Sequence, residues 1–344
     1  MSAFSLTDLK QRIDAMASLR VLVVGDVLLD EYRVGDVERV SPEAPVPIVR
    51  VADERSELGG AGNVARGIVS LGAACRLAGV VGADAEGASL RRRALEVGVE
   101  AEDLLVASDR PTSHKLRVVA RGQQMLRLDR ELDHPLPEAI AQDLRERVES
   151  QLANCDALIL QDYDKGVFGE GDGPSFARWV IEAARARGCF VAADPKRAIQ
   201  RFRGASLVKP NFDEARAFVP GQSDDLAGRL ALLEKLQHEL GGAEIVMTRG
   251  ASGMSALDAA GGAFELPTRA LEVYDVQGAG DTSIAALTLC RAAGASLREA
   301  CLVANAAAAV VVEKVGTAAV TRDELVERLP DAIAAAEAGK RERT

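Results

Sequence analysis

The sequence Gly278-Ala279-Gly280-Asp281 places a glycine-rich turn directly before an acid. Two glycines flanking one alanine let the backbone turn sharply and approach a ligand, because almost no side chain intervenes. The turn follows a strand-like segment at residues 269–273, and the apolar run at residues 284–289 reads as a helix beginning at Gly280 or Asp281. Its first N–H groups lack intrahelical partners and point back into the turn, where the helix dipole adds roughly half a positive charge. Such a terminus favours a phosphate. Asp281 beside it is placed to take a proton from an attacking hydroxyl. Donors for an anion and a nearby base are what phosphoryl transfer requires. The plainer reading is an N-cap beside a turn, and the rest of the chain has to decide between the two.

The other chemistry-bearing residues follow strand-like runs. Asp26 and Asp30 follow Val21-Leu22-Val23-Val24-Gly25, and Asp162 and Lys165 follow Ala157-Leu158-Ile159-Leu160. Asp194 and Lys196 follow residues 190–193, and Asn211 and Glu214 follow residues 206–208. Thr248 and Arg249, with Gly250 and Gly253, follow residues 244–247. Each alone is an ordinary turn or cap residue. Together they would line one edge of an open sheet, since ligands bind outside the carboxyl ends of its strands.

A second glycine cluster, Gly59-Gly60-Ala61-Gly62-Asn63, opens a helix that Leu71-Gly72 closes. It lacks the G-x-G-x-x-G dinucleotide spacing, and no G-x-x-x-x-G-K-[ST] phosphate loop occurs. A nicotinamide dehydrogenase is therefore disfavoured, and any ATP must be held by another architecture.

The elements that would position these residues alternate. Leu6, Leu9, Ile13 and Met16 share a helical face, and from residue 77 onward apolar strands alternate with amphipathic helices. That alternation predicts an α/β fold with a doubly wound sheet. Two extended blocks stand apart. Pro42, Pro45 and Pro47 mark residues 46–51 as an edge strand or separate ribbon. Residues 112–121 and 124–129 read as a hairpin broken at Arg121-Gly122-Gln123. We read both as a small β-layer, with lid segments near 31–58 and 112–130. The basic residues Lys115, Arg117 and Arg127 are either a solvated face or a lid meeting a phosphate.

Composition bounds the rest. The chain has 344 residues, 48% of them hydrophobic, and a net charge of −10, which disfavours a nucleic-acid partner. Its five cysteines are scattered without metal-like spacing and suit a reducing compartment. No apolar run approaches the ~18 residues of a membrane span, and the first residues lack signal-peptide order. A cytoplasmic protein is expected. Residues 331–344 read as a fraying surface tail after a single domain over residues 1–330.

The two glycine motifs together, Gly59-Gly60-Ala61-Gly62-Asn63 and Asp275-x-x-Gly278-Ala279-Gly280-Asp281, resemble the two signatures of the ribokinase-like (PfkB) sugar kinases. Asn211-x-x-Glu214 and Thr248-Arg249-Gly250-x-x-Gly253 extend the resemblance over nearly the whole chain. It implies a ribokinase-like, mostly parallel sheet flanked by helices, with a β-sheet lid. Within the family, four stretches are most similar to the branch acting on D-glycero-β-D-manno-heptose 7-phosphate at O1. They are residues 25–30 through 41–47, Asp162-Tyr163-x-Lys165-Gly166, Asp194-Pro195-Lys196 and Lys314-x-Gly316-Thr317. The chain ends without the H-x-G-H type motif of a fused adenylyltransferase, so a stand-alone kinase is expected. Asp164 stands where relatives often carry a small residue.

The resemblance implies roles. Asp281 is the base, and the N–H groups of Gly278, Ala279 and Gly280 hold the transferring phosphoryl group. Asp30, Gly60 and Asn63 hold sugar hydroxyls, and Lys115, Arg127, Lys165 and Lys196 meet the 7-phosphate. Thr248, Arg249, Gly250 and Gly253 line the ATP site, with Asn305, Lys314 and Gly316 near the adenine. Asn211 and Glu214 organise Mg²⁺ through water, and a monovalent cation is compatible with the family. It also implies a homodimer through the lid. The alternatives are a same-fold kinase for another phosphosugar, such as a fructose phosphate, and a non-catalytic sugar or nucleotide sensor.

Overall fold

The apolar run at residues 21–25 becomes a central strand whose side chains alternate between two cores. Val21 and Val23 join one buried cluster, and Leu22 and Val24 join the other. A strand covered on both faces needs this near-continuous apolar sequence. The computed structural model describes residues 4–169, 175–268, 275–314 and 318–341.

In chain order the strands are β1 (Arg20–Gly25), β2 (Val27–Val40), β3 (Pro47–Gly60), β4 (Ala74–Gly82), β5 (Leu104–Ala107), β6 (Ser113–Ala120), β7 (Gln123–Arg130), β8 (Ala157–Gln161), β9 (Phe190–Asp194), β10 (Leu207–Val208), β11 (Glu244–Thr248), β12 (Met254–Leu257) and β13 (Ala263–Leu266). The helices are α1 (Leu6–Met16), α2 (Ala61–Ser70), α3 (Ala85–Glu96), α4 (Glu138–Leu152), α5 (Phe176–Arg185), α6 (Phe212–Phe218), α7 (Leu226–Glu239), α8 (Ala279–Ala292), α9 (Leu297–Val312) and α10 (Arg322–Arg341).

The large sheet has the order β13-β12-β11-β10-β9-β8-β1-β4-β5. It is parallel from β11 through β5, and β12 and β13 extend it as an antiparallel edge. Helices α1, α2, α8, α9 and α10 pack in one core, and α4, α5 and α7 in the other. The doubly wound expectation holds. A separate sheet, β3-β2-β6-β7, forms the small layer, with the proline-marked β3 on its edge and β6–β7 as the hairpin. Its first strand starts at Val27, earlier than the expected lid boundary near residue 31, and is 14 residues long.

Three expectations need correcting or setting aside. Helix α8 starts at Ala279 and not at Gly280 or Asp281, because Gly278 takes φ 78° and caps it from the left-handed region. Residues 331–341 do not form a fraying tail. They continue α10 past Pro330 and bury Ala336, with Ile333 packed against the core. The strand expected at residues 269–273 lies outside the described residues.

Candidate active site

The ends of β8, β9 and β10 and the starts of α2 and α8 meet around Asp281. The carboxylate is buried in the first turn of α8. Asn63, in the first turn of α2, donates from Nδ2 to Asp281 Oδ2 at 2.7 Å. Tyr163 donates from its hydroxyl to Oδ1 at 2.8 Å, and Gln161 at the end of β8 donates to the same oxygen at 3.4 Å. Burial pushes the Asp281 pKa up to about 6, opposed by the bond from Asn63, raised further by Asp194 and opposed again by Tyr163. A carboxylate with that value is mostly ionised at neutral pH and still basic enough to accept a proton.

The backbone makes this convergence possible at two glycines. Gly60 has φ 56°, and a Cβ there would lie 2.4 Å from the Asp26 carbonyl oxygen. Only glycine lets β3 end against β2 and launch α2 toward Asp281. At Gly278, also left-handed, a Cβ would stand 2.9 Å from Asn63 Nδ2, the donor bonded to Asp281.

Asp26 serves the site from beneath. It accepts backbone N–H bonds from Tyr163, Lys165 and Val167 at 2.8, 3.0 and 3.1 Å, which fixes the loop carrying Tyr163. Asp162 on that loop is pushed up to about 7, chiefly by burial and then by the nearby Asp26 charge. Lys209 is the residue the sequence reading passed over. Its buried ammonium pairs with Asp194 Oδ1 at 3.0 Å, and Gln161 donates to the other Asp194 oxygen at 3.2 Å. A Cβ on Gly280 would lie 3.9 Å from Lys209 Nζ, so this cation sits beside the start of α8. Its only local signal was a lysine two residues before Asn211.

Beyond Asp281 opens a cleft of about 620 Å³. Of the expected residues, Ala279, Gly280, Lys196, Asn211, Glu214, Thr248, Gly250, Gly253 and Asn305 line it, joined by Lys209 and by apolar Val276, Ala308 and Val312. Gly278 caps α8 and does not line the cleft. Arg249 turns aside, donating to the Ser252 carbonyl at 3.1 Å with Glu265 at 3.6 Å. Asn305 donates to the carbonyls of Leu266 and Pro267, both at 3.4 Å. Lys314 pairs with Glu324 and donates to the Ala319 carbonyl at 2.9 Å. Gly316 lies outside the described residues.

Asn211 and Glu214 form a capping box on α6. Asn211 Oδ1 accepts from the Glu214 N–H, and Glu214 Oε2 from the Asn211 N–H, both at 2.8 Å. Lys196 reaches Glu214 Oε1 at 3.1 Å. No group of three or more His, Cys, Asp or Glu side chains among the described residues is arranged to hold a metal directly. The oxygen donors present fit a hard cation held through water and ligand phosphates.

The lid side carries the remaining candidates. Asp30 pairs with Arg117, which stacks over the Tyr32 ring at 5.3 Å. The Tyr32 hydroxyl donates to Gln277 Oε1 at 2.7 Å, tying the lid to the loop before α8. Lys115 pairs with Glu131 at 2.7 Å and Asp129 at 3.1 Å, and Lys165 pairs with Glu131 at 2.8 Å. Arg127, nearly half exposed, pairs with Asp129 at 2.8 Å. Asn63 thus bonds Asp281 directly, while Lys115 and Arg127 sit in ion pairs on the lid and Lys165 pairs with Glu131 from the loop after β8; none of the three lines the cleft.

A family model, the pfkB family carbohydrate kinase, matches residues 18–324. The chain belongs to the pfkB carbohydrate kinase family. It is a sugar kinase. Bifunctional protein HldE of Shewanella amazonensis is 42% identical over 322 residues, which is 93% of this chain and 66% of that protein. HldE of Shewanella denitrificans is 43% identical over 324 residues, again 93% and 66%. This pfkB kinase chain therefore spans 66% of the length of both relatives. Arabidopsis thaliana ribokinase complexed with ribose and ATP superposes with TM-score 0.70 at 19% identity, covering 91% of this chain and 99% of that one. The tetrameric inhibited form of Escherichia coli phosphofructokinase-2 gives 0.73 at 20%, with the same coverage. The fold is ribokinase-like, as the motifs implied.

No helix among the described residues is long and apolar enough to cross a membrane.

Proposed function

We propose that this kinase transfers the γ-phosphoryl group of ATP to O1 of D-glycero-β-D-manno-heptose 7-phosphate, giving the 1,7-bisphosphate used for ADP-heptose and lipopolysaccharide core synthesis. The observation that carries the chemistry is Asp281, buried in the first turn of α8 and held by Asn63 and Tyr163. The ionised carboxylate takes the proton of the C1 hydroxyl as that oxygen attacks phosphorus. The first N–H groups of α8, at Gly278 to Gly280, meet the charge on the transferring group, and Lys209 adds a fixed cation. ADP leaves along the cleft lined by Thr248, Gly250, Gly253 and Asn305.

Asn211 and Glu214 would hold Mg²⁺ through water, and bound Mg²⁺ would neutralise phosphate charge. Asp30, Gly60 and Asn63 would face the sugar. The choice of heptose rests on the matching stretches from Gly25 to Thr317, together with 42–43% identity to HldE across 93% of the chain.

A lid-mediated homodimer belongs to the same proposal. Strand β7 is an edge strand, exposed along its length, and carries exposed Leu126 and Leu128. An unpaired apolar edge is a site for pairing with a second copy. Sedimentation would show a dimer, and Leu126→Lys with Leu128→Lys would yield a monomer. A monomeric wild type would remove this part.

The test of activity is ATP-to-ADP turnover with heptose 7-phosphate beside fructose 6-phosphate, fructose 1-phosphate and ribose. The expected result is a kcat/KM preference above ~10² for the heptose, or about 2.7 kcal/mol. Preference for another sugar would keep the mechanism and replace the substrate. ATP binding without turnover on any of them would leave a sensor.

A further inference from the structure

At the junction of the lid and the main body, one carboxylate bridges two lysines from different parts of the fold. Glu131 follows β7. Its Oε2 accepts from Lys115 of β6 at 2.7 Å, and its Oε1 from Lys165 of the loop after β8 at 2.8 Å. The geometry is held from below. The Arg110 guanidinium donates to the Lys165 carbonyl at 2.7 Å and the Leu132 carbonyl at 3.4 Å, fixing the two backbones beside each other.

This cluster adjoins residues assigned to the sugar side of the site. Lys115 lies opposite Asp30 in the β2–β6 register. Arg117, two residues along β6 and so on the same face, pairs with Asp30. Lys165 is two residues from Tyr163, which holds the catalytic Asp281. The three side chains at the bridge are each roughly a fifth exposed, so the position is enclosed without being sealed.

Two ammonium groups aimed at one pair of oxygens form an anion site, which in the free chain is filled by Glu131, with Asp129 Oδ2 also 3.1 Å from Lys115. We propose that Glu131 occupies the place of the substrate's phosphate between Lys115 and Lys165, and that the phosphate must displace it to bind. This rests on the reading of the substrate as a phosphorylated sugar. A phosphate brings about two negative charges and three terminal oxygens against one charge and two oxygens for the carboxylate, so it can outcompete Glu131. A neutral sugar cannot, because parting Glu131 from its lysines would go uncompensated. Glu131 thereby sets the threshold for anions at this position: a doubly charged phosphate can take its place, and a neutral group cannot. Because Lys115 is on the lid and Lys165 on the body, the exchange also keeps the two parts joined in both states.

The test is calorimetric titration of inorganic phosphate into the full chain, with the nucleotide cleft filled by a non-hydrolysable ATP analogue. Glu131→Gln should bind phosphate at least about tenfold more tightly than wild type, the scale of one close charge contact. Lys165→Ala should bind it at least about tenfold more weakly. The KM for the phosphosugar should follow both changes while the KM for ATP stays put. Unchanged or weaker phosphate binding in Glu131→Gln overturns the proposal, as does unchanged binding in Lys165→Ala. If Glu131→Gln fails to fold by its melting curve, Lys165→Ala still reads the same site with the opposite sign. Turnover of heptose 7-phosphate with phosphate binding indifferent to both positions would sink this inference alone. Phosphate binding that responds as stated, without turnover of any sugar phosphate, would sink the substrate assignment and leave the anion site standing.

Discussion

The floor of the cleft and the lid above it are built on opposite principles. At the floor, Asp281, Gln161, Asp194 and Lys209 are buried, and their hydrogen bonds and ion pair run from strand end to strand end. Such groups are rigid because parting any of them strands a partner in low dielectric. In the lid, β7 is exposed throughout, and its charges pair at a surface where water screens them. The proposed mechanism puts chemistry where geometry cannot drift, and recognition where charges can be exchanged. The difference predicts that floor substitutions act mainly on kcat and lid substitutions mainly on KM.

The strongest way to break that comparison is at Asp281. Asp281→Asn should lower kcat by at least ~10²-fold, the scale of a lost general base, while an ATP analogue still binds. Near-wild-type turnover would remove Asp281 from the mechanism. Lys209→Met should lower kcat by about 10², as for one lost charge donor, and should also lower the melting temperature by leaving Asp194 buried without its cation. The double variant Lys209→Met with Asp194→Asn separates the two effects. Stability should return and kcat should not. Recovery of kcat with stability would make Lys209 purely structural.

A finer test uses pH. As the proposed base, Asp281 acts in its ionised form, and burial pushes its pKa up to about 6, so kcat should fall as pH drops through about 6 and level off above it. The Tyr163 bond favours the ionised form. Tyr163→Phe should therefore move the midpoint upward, by up to about one pH unit, with a kcat loss of only a few-fold at neutral pH. A midpoint that stays fixed in this variant would assign the titration to another group, with Asp162 at about 7 the first to examine.

How much of this was legible in the sequence follows from how local each signal is. Strand β1 was plain, because burial on both faces leaves an uninterrupted apolar run. Strand β2 was not. Its outward half is charged, with Glu31, Arg33, Asp36, Glu38 and Arg39, and register shifts at Val34/Gly35 and Val37/Arg39 break the period of two. The β12–β13 hairpin was hidden behind Gly250 and Gly253, which drew the reading toward a ligand loop. The glycine turn before α8 was legible because the helix start, the acid and the anion donors are consecutive. Its partner was not legible by spacing, since Asn63 lies 218 residues away from Asp281. Lys209 failed for the same reason. A lysine before a proline looks like surface until the fold sets it against Asp194.

The smallest expected effect is at Arg127, and it sharpens the comparison from the lid side. The sequence placed Arg127 with Lys115 and Lys165 as a phosphate contact, but its surroundings differ from theirs. Its side chain is 49% exposed, and its carboxylate partner Asp129, only two residues away, is shared with Lys115. A pair that open is worth about 0.2–1 kcal/mol at most. Arg127→Ala should therefore shift the phosphosugar KM by no more than about fivefold, with kcat and melting temperature nearly unchanged. High salt should erase even that difference, because exposed charges are screened within about 10 Å at 0.1 M. A KM rise well beyond tenfold that survives high salt would mean that Arg127 leaves Asp129 and closes on a desolvated phosphate. The lid would then carry a buried contact in the bound state, and the division between a rigid floor and an exchangeable lid would hold only for the free enzyme.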